Sequence, residues 1–143
     1  MEHLFTPWRI EYIRSAKKDG CIFCDMLEDD DRSSFILHRG QHAFLVLNRY
    51  PYNNGHFMSV PYRHVDTLEL LTPDEMADMM GLLTLGLRAL RPVMKPDGFN
   101  IGANIGAVAG AGVKVHVQMH AVPRWTGDTN FMPLFGETRV IPQ

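Results

Sequence analysis

Two short stretches of the chain carry residue types that do chemistry. In the first, Val115 to Trp125, apolar and polar side chains alternate strictly, so that His116, Gln118 and His120 fall on one face of a strand and Val115, Val117, Met119 and Ala121 on the other. The polar residues stand roughly 6.6–6.8 Å apart along such a strand. Imidazole can act as nucleophile, general base, phosphate donor or metal ligand, whereas a carboxamide only donates and accepts hydrogen bonds. Two histidines at period two therefore point to a buried polar network or a lined site more readily than to a solvated sheet face. The second stretch is Cys21-Ile22-Phe23-Cys24, one half of a structural zinc site that needs two more ligands. Seven histidines are available to close it, with His64 and His116 the leading candidates; two buried free cysteines are the plainer alternative. A third feature, the glycines at 106, 110 and 112 just before the histidine strand, suits either a tight bend or a loop whose amides face a phosphate.

The rest of the chain supplies what must hold these residues. Its 143 residues are enough for one domain with an ordinary core, and the 45% hydrophobic share agrees. A net charge of −2 and a pI near 6.4 argue against a broad nucleic-acid or anionic-membrane footprint. Neither a signal-peptide core nor a membrane span is expected, and cysteines three apart suit a reducing compartment, so cytoplasmic residence is expected. Phe35–His38, Ala43–Asn48 and His56–Val60 read as three strands of an antiparallel meander, with Pro51–Gly55 as a turn. A short helical turn is expected within Val65–Leu71. The long helix starts at Thr72 as N-cap, with Pro73 at N1 and Glu75 completing a capping box. Met76, Met80, Leu83, Leu87 and Leu90 repeat at helical spacing and predict its core-facing stripe, and Pro92 is expected to end or kink it. Phe99–Asn104 is a fourth strand and Val115–Trp125 a fifth. Pro7–Ile13 suits a short helix within an N-terminal extension over 1–20. The acidic run Glu28–Asp31 reads as a solvated loop, and residues 126–143 as a tail.

Taken together, Leu47-Asn48-Arg49, Gly55-His56, Pro61-Tyr62-Arg63-His64, Asn104-Ile105-Gly106, Ala109-Gly110 and His116-x-x-x-His120-x-Val122-Pro123-Arg124-Trp125 closely resemble the histidine-triad (HIT) family. The likeness runs from Trp8 to the C-terminus, and the stretch Gly127–Pro133 is similar to the bacterial branch of diadenosine tetraphosphate phosphorylases or hydrolases. The resemblance implies a single α+β domain over 1–143: a five-stranded antiparallel sheet with one long and one short helix, dimerising into a continuous sheet. It implies attack by a histidine on the α-phosphorus of a nucleotide, release of the nucleotidyl group to water or phosphate, and adenine nucleotides or dinucleoside polyphosphates as partners. Matched position by position, Asn48 and His56 fall on ribose and base-side contacts. Asn104, Gly110, Ala111, Gly112 and His120 fall on phosphate contacts, and Cys21, Cys24, His64 and His116 on the ligands of structural zinc.

The pattern departs at one place. The family's triad is His-x-His-x-His with the middle histidine as nucleophile, and that position here is Gln118. An amide nitrogen shares its lone pair with the carbonyl and cannot replace imidazole, so weak or absent turnover with binding retained is expected. One alternative is a catalytically silent binder or sensor. Another is a register shifted by two, as in galactose-1-phosphate uridylyltransferases, making His116 the nucleophile. A zinc-stapled interaction protein with a vestigial pocket is a third.

Overall fold

The apolar run Ala43–Leu47 sits deep in the structure because both of its faces are covered. The computed structural model describes residues 20–128, together with Pro7. It contains five strands, β1 (Ile36–Arg39), β2 (Ala43–Leu47), β3 (Phe57–Pro61), β4 (Gly98–Gly102) and β5 (Met119–Arg124), in one antiparallel sheet of order β1-β2-β3-β5-β4. Among the described residues three α-helices accompany it, α1 (Ile22–Met26), α2 (Asp31–Ser34) and α3 (Pro73–Met94), with single 3-10 turns at Leu68–Leu70 and Ala107–Ala109. The α+β architecture with one long helix is the one expected. The predicted N-terminal helix over 7–13 and most of the tail lie outside the described residues.

Period-two alternation divides the sheet. Ala43, Leu45, Phe57 and Ala121 face α3 and pack against Met79, Leu82 and Leu83. Ile36, Phe44, Val46, Met58 and Val60 face away from it, under Cys21 and Phe23. The register pairs His120 with Met58 on one side and Gly102 on the other, so His120 belongs to the face that α3 leaves uncovered.

The start of α3 follows its sequence. Thr72 Oγ1 accepts from the Glu75 N–H at 3.2 Å, and Glu75 Oε1 accepts from the Thr72 N–H at 2.9 Å. Its core stripe follows in part, with Leu83, Leu87 and Leu90 in the core and Met76 and Met80 outside it. Met76 and Met80 are 39% and 49% exposed, while Met79, Leu82, Leu83 and Gly86 are buried and Leu87 and Leu90 half-buried. Two contacts shift the buried face partway, toward Glu75, Met79, Leu82 and Gly86. Glu75 is drawn inward by Arg63, which reaches its Oε1 at 2.7 Å. Phe57 lies against the bare backbone of Gly86, where a Cβ would come within 2.5 Å of the ring. Pro92 sits in the last turn and the helix runs on to Met94, ending at Lys95 in the left-handed conformation.

Two further expectations change. The acidic run is no plain loop, because Asp30 caps α2 through the Ser33 N–H at 3.1 Å. The fifth strand is shorter than its alternation predicts: residues 115–118 precede the ladder, and the Val117 N–H is held instead by Val65 O at 2.7 Å.

Candidate functional site

That short detour before β5 sends the two histidines to different places. His116 is fully buried, and its Nε2–H donates to Pro61 O at 2.8 Å. Its Nδ1 then lies 3.3 Å from Cys21 Sγ and 3.6 Å from Cys24 Sγ, while His64 Nδ1 lies 3.4 Å from Cys24 Sγ. The four ligand atoms are all within 4.8 Å of one another. A tetrahedral zinc with Zn–S about 2.3 Å and Zn–N about 2.0 Å has edges of about 3.3–3.8 Å, so the Sγ–Nδ1 spacings already match. The donor set fits as well: two thiols and two imidazoles suit zinc, and the carbonyl on Nε2 is the outer partner that fixes a ligating imidazole's tautomer. Burial lowers the pKa of His116, against the Pro61 carbonyl and with help from His64, which keeps the ring neutral as a ligand must be. The Cys24 thiol is pushed up to about 11, first by burial and then by Cys21 and Asp25. A divalent cation would reverse that and hold it as thiolate. These residues can hold a metal ion.

His120 turns to the open face and meets His56. Their rings are 5.0 Å apart, with His56 Nε2 and His120 Nδ1 at 2.8 Å. The protons follow from the neighbours. His56 Nδ1 accepts from the Tyr52 N–H at 3.2 Å, which puts the His56 proton on Nε2, donated to His120 at 2.8 Å; the Asn48 amide nitrogen, 3.4 Å from that Nε2, is then a contact and not a hydrogen bond. This donation makes His120 Nδ1 an acceptor and places the His120 proton on Nε2. Asn48 stands beside the pair, its Oδ1 taking the Tyr50 N–H at 2.9 Å and its amide nitrogen 3.4 Å from His56 Nε2 and 3.9 Å from Met58 Sδ. The turn over 48–56 that sets this geometry is tight enough to need Gly55, at φ 81°, since a Cβ there would lie 2.7 Å from Met94 Sδ.

Gln118, which lies between His116 and His120 in the chain, is 5% exposed. Among the described residues its Oε1 is the buried side-chain oxygen without a hydrogen-bond partner, a state that ordinarily costs about 1–3 kcal/mol unless a ligand or water completes it. Asn104 donates to Gly110 O at 3.2 Å and so shapes the glycine loop. Gly110 takes φ 90°, and its N–H and that of Ala111 donate to Ala107 O and Gly106 O within the loop. Those two amides are therefore engaged within the loop and hold its shape.

The structure thus brings together Cys21, Cys24, His64 and His116, and separately Asn48, His56 and His120, while Asn104 meets the loop. Sequence reasoning missed Tyr52, whose backbone fixes the His56 tautomer, and Asn53 and Asp128, which brace the same turn at 3.0 Å. A backbone donor leaves no side-chain signal; the Asn53-Asn54-Gly55 run marked only a turn.

A family model described as the HIT domain matches residues 30–127. The chain belongs to the HIT family. This HIT protein is 40% identical to the AP-4-A phosphorylase of Mycobacterium tuberculosis over a 152-residue alignment that covers 100% of the chain and 78% of that relative. Its fold is shared with a crystal structure of a HIT family member from Bacillus subtilis (TM-score 0.68, 27% identity, 76% of each chain). A Zn-bound histidine triad family protein from Mycobacterium smegmatis has the same fold (TM-score 0.62, 27% identity, 76% of this chain and 78% of that one). No helix among the described residues of this HIT protein is long and apolar enough to cross a membrane.

Proposed function

We propose that this HIT protein binds adenine nucleotides or dinucleoside polyphosphates on the sheet face around Asn48, His56 and His120, and turns them over poorly because Gln118 stands where the family has its nucleophile. The observation that carries the reading is the His56–His120 pair with Asn48 beside it on the sheet face that α3 leaves open, in a chain 40% identical to an AP-4-A phosphorylase along its whole length. His120 with its proton on Nε2 offers a neutral donor to a phosphate oxygen, and Asn104 holds the loop that closes the phosphate end. Gln118 can donate an amide N–H to an α-phosphate oxygen but cannot form a bond to phosphorus.

The shifted register, with His116 as nucleophile, fits less well. Both ring nitrogens of His116 are engaged, one by Pro61 O and the other by the cysteine sulfurs, and the ring has no exposed surface. Its role in this reading is to hold zinc with Cys21, Cys24 and His64. Such a zinc would act as a structural tie between the N-terminal knuckle and the segment that leads to Gln118.

The test is one assay on two proteins. The chain as written should bind AMP in a calorimetric titration, and Gln118→His should raise cleavage of diadenosine tetraphosphate, with phosphate or water as acceptor, by about 10³-fold or more while changing AMP affinity little. Rapid cleavage by the unaltered chain that His116→Ala abolishes with zinc still bound would instead establish the shifted register.

A further inference from the structure

The corner after β5 is tied down at a single atom. Asp128 Oδ2 accepts from Asn53 Nδ2 at 3.0 Å, from the Trp125 N–H at 3.0 Å and from Arg124 Nε at 3.3 Å. Arg124 is anchored in turn, its Nη1 donating to Asn100 Oδ1 on β4 at 2.7 Å. Burial works against the Asp128 carboxylate, but the donors from Trp125, Arg124 and Asn53 outweigh it and hold its pKa below the ordinary value. Asn53 reaches in two further directions. Its amide also donates to Pro123 O at 3.2 Å, and its own carbonyl accepts the His56 N–H at 3.1 Å. An unbroken path of contacts therefore runs from Asp128 through Asn53 to the backbone of His56, the residue whose ring meets His120.

We propose that Asp128 is a positioning residue for His120. By gripping Asn53 it fixes the 48–56 turn in the shape that aims the Tyr52 N–H at His56 Nδ1, and so keeps the His120 proton on Nε2. The physical reason is that a histidine's tautomer is set by the bond its other nitrogen makes. Here that bond depends on a turn, and a turn without a brace samples other shapes. Loosen it, and the Tyr52 N–H no longer selects one His56 tautomer; His56 can then accept from His120 instead of donating to it. The donor that would face a phosphate becomes an acceptor part of the time. The part of this inference that concerns affinity rests on the nucleotide-binding reading; the part that concerns the tautomer does not.

The experiment separates the two. Histidine ¹⁵N spectra of the nucleotide-free protein report which ring nitrogen of His120 carries the proton, and an AMP titration reports binding. Asp128→Ala and Asn53→Ala should each move the His120 nitrogens toward a mixed tautomer and weaken AMP by about 3- to 10-fold, the scale of one lost supporting hydrogen bond. The double variant should be no weaker than the worse single one, because both cut one path. Asp128→Asn, which keeps an acceptor oxygen and the side-chain shape, should fall between. Thr126→Val is the control: it removes a neighbouring brace, Thr126 Oγ1 to Asp97 Oδ2 at 2.9 Å, without touching Asn53, and should leave both readouts unchanged. Unaltered His120 signals in Asp128→Ala, or an equal change in Thr126→Val, would overturn the proposal. Altered signals with no AMP binding by any of the proteins would uphold the positioning role and remove the nucleotide reading.

Discussion

At the scale of single residues, the same side-chain type does different work at two positions only four apart. His116 and His120 were legible as site residues from their alternation, and the cysteine pair from its spacing. The sequence also named His116 as a partner for the cysteines; what it could not show is that the ladder begins only at Met119, which is how His116 leaves the strand face to reach them. Alternation reports which side a residue points to along a regular strand, and it is silent on where the strand starts. A second buried polar group, Glu75, was legible only as a cap. Its carboxylate is also gripped by Arg63, which with the Thr72 bonds, and against burial, holds its pKa at about 2 instead of 4.5. Because the folded-state value is depressed, the stabilisation is fully present above about pH 4.5 and is lost as the pH falls toward 2. Glu75→Gln should therefore flatten the dependence of the urea midpoint on pH between those limits while lowering the midpoint at neutral pH. A slope unchanged from the parent would show that the pair does not couple to folding.

At the scale of elements, the long helix shows how far local signals reach. Thr72, Pro73 and Glu75 announced its first turn, since caps act within four residues. Its rotation was decided elsewhere, by a ring on β3 and a guanidinium after it, and no helical periodicity contains that information. Gly86 is the hinge of the fit. An added methyl would meet Phe57 Cε2 at 2.5 Å and Cζ at 2.6 Å, and Phe57 itself is 1% exposed with nowhere to retreat. Gly86→Ala should thus destabilise by about 1–3 kcal/mol despite alanine's better helix propensity, seen as a lower denaturation midpoint with an unchanged m-value. A gain in stability would mean that the helix can slide to make room.

At the scale of the whole molecule, the rotation leaves Met76 and Met80 exposed together on the long helix, and the sheet order leaves β4 as an edge. An open edge and an apolar helix face are both liabilities that a second copy would cover. We accordingly expect a homodimer, formed through α3 and the β4 edge. Light scattering at micromolar concentration should give about twice the 16.3 kDa chain mass, and Met80→Glu should move it toward one. A parent that already scatters as a monomer would remove this assembly.

The separation of the four candidate metal ligands along the chain also fixes an order in time. Cys21 and His116 lie 95 residues apart, and β5, which follows His116, enters the sheet between two strands made before it. At about 5–20 residues per second, a nascent chain would display its cysteines for about 5–20 s before the last ligand existed. Zinc would then be a latch on a finished sheet and no nucleus for building it. Refolding followed by tryptophan fluorescence should run at the same rate with zinc or with chelator, whereas zinc should slow unfolding. Faster refolding with zinc would mean that the knuckle recruits its histidines early, and that the last strand is guided home by a half-built metal site.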